Sequence, residues 1–135
     1  MTSQPATILI VDDELQNRKL LEALLKPEGY ITRNAASGDE AMASIAAIPP
    51  DLILLDIMMP GMDGYEVASR LKASPATAMI PIIMVTAHDG RGARVIGLNS
   101  GAEEFLTKPV DRAELQLRVR NLLRLKTSVD SLQKS

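Results

Sequence analysis

Ile8-Leu9-Ile10-Val11-Asp12-Asp13-Glu14 and Leu52-Ile53-Leu54-Leu55-Asp56 are the two stretches that decide how this chain folds. Each is an unbroken aliphatic run that stops on carboxylates. A strand covered on both faces reads as continuously apolar rather than alternating, so both runs read as central strands of a parallel sheet. Asp12, Asp13 and Asp56 then fall together at the carboxyl edge of that sheet, where open α/β sheets bind ligands. Three carboxylates crowded there raise one another's pKa unless a cation neutralises them. The pattern asks for a hard divalent metal ion.

Working outward, five short apolar runs at 7–11, 30–34, 51–55, 80–85 and 103–106 alternate with helical patterns, the signature of βα units. Leu15, Leu20, Leu21, Leu24 and Leu25 recur at helical spacing and predict a helix near 14–26. Ser37-Gly38-Asp39-Glu40 reads as a capping box for a helix over 37–47. Asp63 is placed to cap a helix over 64–73, a Gly-interrupted helix is expected near 89–100, and Asp111 with Glu114 opens the last helix. Pro49-Pro50, Pro60-Gly61 and Pro75 punctuate the connections. Right-handed crossovers with helices on both faces make a doubly wound α/β sheet of five parallel strands. In the order 2-1-3-4-5, strands 1 and 3 flank the topological switch point and carry the three aspartates to one pocket.

A chain of 135 residues has room for one domain with a sizeable core. No apolar stretch approaches the roughly 20 residues that span a bilayer, and Met1-Thr2-Ser3-Gln4-Pro5 lacks the pattern of a signal peptide. A cytoplasmic protein without membrane contact is the expectation. The absence of cysteine removes disulfides, thiolate catalysis and Cys-ligated zinc. A net charge of −2 gives no general attraction to nucleic acid, so Lys108, Arg112, Arg118, Arg120, Arg124 and Lys126 read as a solvated helix face. With Tyr30, Tyr65 and Phe105 as the only aromatics, little is left to stack bases or a flavin ring.

Four motifs in order, Ile8 to Glu14, Leu54-Leu55-Asp56-Ile57-Met58-Met59-Pro60-Gly61-Met62-Asp63-Gly64, Val85-Thr86-Ala87 and Phe105-Leu106-Thr107-Lys108-Pro109, resemble the receiver domain of two-component response regulators. The resemblance runs from about Thr7 to Lys126 and implies a flavodoxin-like fold, with 1–6 an N-terminal extension and 127–135 a helix extension or linker. It implies that Asp56 accepts a phosphoryl group from a sensor histidine kinase or histidine phosphotransfer protein, a role open to a carboxylate nucleophile. Asp12, Asp13, Asp56 and the backbone carbonyl of Met58 would hold Mg²⁺, which favours oxygen ligands and keeps waters. Lys108 would pair with the phosphoryl oxygens, with its bond to Pro109 cis. Thr86 and Phe105 would form the switch pair, the Phe ring lacking the hydroxyl that a Tyr would bring. The switched surface would be that of the helix near 89–100, the strand at 103–106 and the last helix. That surface would control an effector or output domain, or pair two copies. Met58 and His88 would tune dephosphorylation, a bulky Met58 favouring a long-lived phosphate, and His88 is expected in an exposed loop. Catalysis would stop at self-phosphorylation and its hydrolysis, so no enzyme in the usual sense is implied.

The competing reading is a metal-dependent phosphohydrolase that turns over an external substrate through an aspartyl phosphate. Such enzymes place an Asp acid/base two residues after the nucleophile; here that residue is Met58, and a general acid for the leaving group is missing. At the C-terminus, Leu115, Leu122 and Val129 fall seven apart, as do Arg118, Leu125 and Leu132. The last helix therefore either extends into a short coiled coil with a second copy or an adjoining segment, or packs Leu115, Val119, Leu122 and Leu123 on the sheet and frays beyond 127.

Overall fold

The computed structural model describes residues 4–87 and 99–134, with the backbone alone from 126. Five parallel strands, β1 (Thr7–Val11), β2 (Ile31–Ala35), β3 (Leu52–Asp56), β4 (Ile82–Thr86) and β5 (Glu104–Thr107), lie in the order β2-β1-β3-β4-β5. The expected fold and strand order are those observed. β1 is shared between β2 and β3, with Ile10 opposite both Asn34 and Leu54, and Asp56 of β3 sits opposite Val85 of β4.

Alternation along the buried strands divides the core in two. Leu9, Val11, Ile53, Leu55, Ile82, Met84 and Phe105 face α2 (Gly38–Ala47) and α3 (Gly64–Ala73). Ile8, Ile10, Leu52, Leu54, Ile83, Val85 and Leu106 face α1 (Leu15–Leu25) and the last helix, α4 (Arg112–Lys134). Helices cover both faces, as a doubly wound sheet requires.

Local signals act where the sequence places them. Ser37 Oγ accepts from the Glu40 N–H at 3.1 Å while the Glu40 carboxylate reaches back to the Ala36 N–H, one residue earlier than a strict capping box. Asp63 caps α3 through the Glu66 N–H and Asp111 caps α4 through the Glu114 N–H, each at 2.9 Å. α1 is shorter than the leucine spacing predicts, because Pro27 turns its end into a 3-10 turn, Lys26–Glu28, which Gly29 closes at φ +86°. The strands after the first begin later than expected: β2, β3 and β5 by one residue and β4 by two. Ile80 explains the fourth: it is buried, which lengthens the apolar run, yet it precedes the ladder.

Of the α1 leucines, Leu15 and Leu20 stand 55% and 51% exposed while Leu21 and Leu25 are buried. On α4, Leu115, Val119 and Leu122 are buried on the sheet as expected, and the helix runs to Lys134. The basic residues of α4 are engaged in part, Arg118 with Glu104, Arg120 with Glu28, and Arg124 with Asn121. His88 and all but the last two residues of the expected helix near 89–100 lie outside the described residues. Among the described residues, no helix is long and apolar enough to cross a membrane.

Candidate functional site at the carboxyl edge of the sheet

β1 and β3 end side by side, and the chain leaves them in opposite directions, α1 on one face and the loop to α3 on the other. The crevice between holds Asp12, Asp13 and Asp56, each with one carboxylate oxygen within 4.8 Å of those of the other two. Asp12 and Asp56 are buried and Asp13 is exposed. Lys108, from the residue after β5, reaches across to this trio: its Nζ lies 2.8 Å from Asp12 Oδ2 and 3.6 Å from Asp56 Oδ1. It is not the surface lysine that a lone Lys after a strand suggests.

The two buried carboxylates are held differently. Asp12 uses every group it has: its N–H donates to the Ala35 carbonyl, Oδ1 accepts from the Glu14 N–H, and Oδ2 accepts from Lys108. Its carbonyl accepts from Arg18 Nη1 at 2.6 Å. Burial pushes the Asp56 carboxyl up to about 6; Lys108 opposes this, Asp12 adds to it, the Met58 N–H opposes it, and Asp13 adds to it. Burial works against the charge of Lys108, yet the bond to Asp12 and the charge of Asp56 outweigh it and raise its pKa. The ammonium holds part of the negative charge that the trio would otherwise carry unbalanced.

The donor set suits a hard cation. Ligands on an octahedral ion at ~2.1 Å lie roughly 3–4 Å apart, so oxygens within 4.8 Å need only a small side-chain rotation to close on one. Asp13, exposed and without a hydrogen bond among the described residues, is the carboxylate freest to rotate.

Thr86, wholly buried, ends β4, and its carbonyl accepts from the Lys108 N–H at 2.7 Å. Phe105 lies on the neighbouring strand opposite Met84, its ring buried in the core toward α2 and α3. The Lys108–Pro109 peptide is cis. The Met58 side chain is 60% exposed and lines a surface groove with Met59, Pro60 and Gly61. The loop from Asp56 closes through the Gly64 N–H on the Ile57 carbonyl. A Cβ at Gly64 would stand 2.4 Å from the Asp56 carbonyl oxygen, so only glycine brings α3 this close to the site.

Two features left no mark in the sequence reading. One is Arg18, whose partner is a backbone carbonyl. The other is a groove of about 350 Å³ lined by Asn17, Leu20, Leu21, Val85, Lys108, Pro109 and Val110. It opens against Lys108 and explains why Leu20 is not core.

Comparison with known proteins places this geometry in a family. The profile of the response regulator receiver domain matches residues 8–120. Response regulator PleD of Caulobacter vibrioides is 52% identical over 128 residues, covering 95% of this chain and 28% of that protein. Transcriptional regulatory protein ResD of Bacillus subtilis is 45% identical over 117 residues, covering 87% of this chain and 48% of that protein. The crystal structure of a response regulator from Chloroflexus aurantiacus superposes with a TM-score of 0.86 at 41% identity, covering 89% of this chain and 98% of that one. The chain thus spans less than half the length of these two curated relatives.

Proposed function

The chain belongs to the receiver domains of two-component response regulators, and we propose that residues 7–126 act as a phosphorylatable switch with Asp56 as phosphoacceptor. The observation that carries this reading is the convergence of Asp12, Asp13, Asp56 and Lys108 at the end of β1, β3 and β5. An Asp56 oxygen attacks the phosphorus of a phosphohistidine on a sensor histidine kinase or a histidine phosphotransfer protein. The O–P bond forms as the P–N bond breaks, and the electron pair returns to the imidazole.

Asp12, Asp13, Asp56 and the Met58 carbonyl would hold Mg²⁺, which supplies charge neutralisation and orientation for the phosphoryl oxygens. Lys108 is close enough to both buried carboxylates to transfer its donors to the new phosphate, which brings up to about two negative charges and three acceptor oxygens. Thr86 at the adjoining strand end offers a hydroxyl to the same group, and Phe105 repacks as it turns. The exposed Leu15 and Leu20 and the groove against Lys108 suit the approach of an amphipathic helix of the phosphodonor. The output is a downstream effector or an attached domain, contacted through β5, α4 and the segment before β5. No turnover of external substrate is proposed, since Met58 stands where an acid/base would be needed.

Incubation with acetyl phosphate and Mg²⁺ should add one phosphoryl mass, sensitive to hydroxylamine and lost with chelator and with Asp56→Asn. Labelling of Asp56→Asn at the level of the parent protein would overturn the assignment.

A further inference from the structure

We propose that Arg18 is a positioning residue for metal binding, acting by clamping the peptide that joins Asp12 to Asp13; the inference rests on the metal-binding role proposed above. Arg18 Nη1 donates to the Asp12 carbonyl at 2.6 Å from one turn into α1, six residues along the chain. That carbonyl and the Asp13 N–H belong to one planar unit, so fixing the oxygen fixes the plane and both flanking Cα atoms. The two neighbouring aspartates thereby gain a common orientation from a residue that touches neither carboxylate.

The rest of the local bonding gives the clamp its importance. The Asp12 side chain is held by the Glu14 N–H and by Lys108, and its N–H by Ala35. A metal ion bound at Oδ2 would share or displace the Lys108 bond there. The Glu14 bond at Oδ1 and the backbone then keep Asp12 in place, and among the described residues Arg18 holds the peptide on its carboxyl side. Asp13, which has no hydrogen bond among the described residues, depends on the same peptide for its starting direction. Arg18 is half-buried, and its guanidinium presents a donor of fixed geometry to an oxygen that would otherwise be buried with less support. Partners that orient metal ligands without binding the metal are worth about 10–100-fold in affinity when removed.

The test is Mg²⁺ affinity, read from amide chemical shifts of the unphosphorylated full chain during titration, for the parent protein and for Arg18→Ala, Arg18→Lys and Asp13→Asn. Arg18→Ala is expected to bind Mg²⁺ about tenfold more weakly and to move the Asp13 amide nitrogen resonance before any metal is added. Arg18→Lys, which restores a donor, should recover part of the affinity; if Arg18→Ala does not fold, the Lys variant set against the parent carries the comparison. A general loss of stability would not change the affinity of the folded fraction. Affinity within twofold of the parent in Arg18→Ala, with binding lost in Asp13→Asn, would overturn the clamp and leave the metal site standing. Unchanged affinity in both variants would overturn the metal site itself.

Discussion

Asp56 shows at the scale of one residue what burial beside other charges does to a carboxylate. In the metal-free protein its pKa is pushed up from 3.8 to about 6, first by burial. The folded state therefore keeps a proton that the unfolded chain has lost, and stability falls as pH rises through the interval between those two values. The displacement corresponds to at most roughly 3 kcal/mol. Asp56→Asn removes the titration, so in chelator the variant should gain on the parent protein in urea unfolding between pH 4 and 7 and hold that advantage above. A parent-minus-variant difference that stays constant across this range would refute the burial argument. The charge balance also explains why Lys108 is not a passive surface group, since two buried carboxylates lie within 4 Å of it.

The loop from Asp56 to α3 decides at the scale of an element how closely the helix approaches the site. Gly61 is there for conformation, at φ +75° with open space around it, whereas Gly64 is there for space, its missing Cβ facing backbone atoms of Asp56 and Ile57. Gly64→Ala should cost about 1–3 kcal/mol in urea unfolding, as overpacking against unyielding atoms does, and should slow phosphorylation of Asp56. Parent-like stability and rate would show that the loop has slack. The same elements show what was legible in the chain. Apolar runs located all five strands but mark burial, not ladder hydrogen bonding. They stop short of Asp56 and Thr86, polar residues that are the last rungs of β3 and β4. The aspartates could be found because they interrupt such runs. Arg18 could not, since a side chain that serves a backbone carbonyl needs no complementary residue type. Which leucines of α1 face the sheet was not legible either, since helical periodicity alone does not separate the buried Leu21 and Leu25 from Leu20 beside a groove.

The fold of the whole molecule governs how much of α4 is available to a partner. Leu115 and Leu122, one layer of the heptad pattern, are consumed by the core, and Leu125, 63% exposed, is the first apolar residue of that seam outside it. What remains is shorter than the three or more heptads that sustain a coiled coil. The unphosphorylated chain should therefore sediment as a monomer at micromolar concentration, with or without residues 127–135. A dimer lost on truncation would show that the seam beyond Leu125 suffices. The Lys108–Asp12 bond, finally, joins residues 96 apart in the chain. Closing so long a loop carries an entropy cost that the native contacts must offset. A nascent chain that has made only its first four strands would carry the acidic trio without the ammonium that β5 delivers. The ammonium that balances the acidic trio thus arrives with the last strand, so the charge of the pocket is settled only when all five strands are in place.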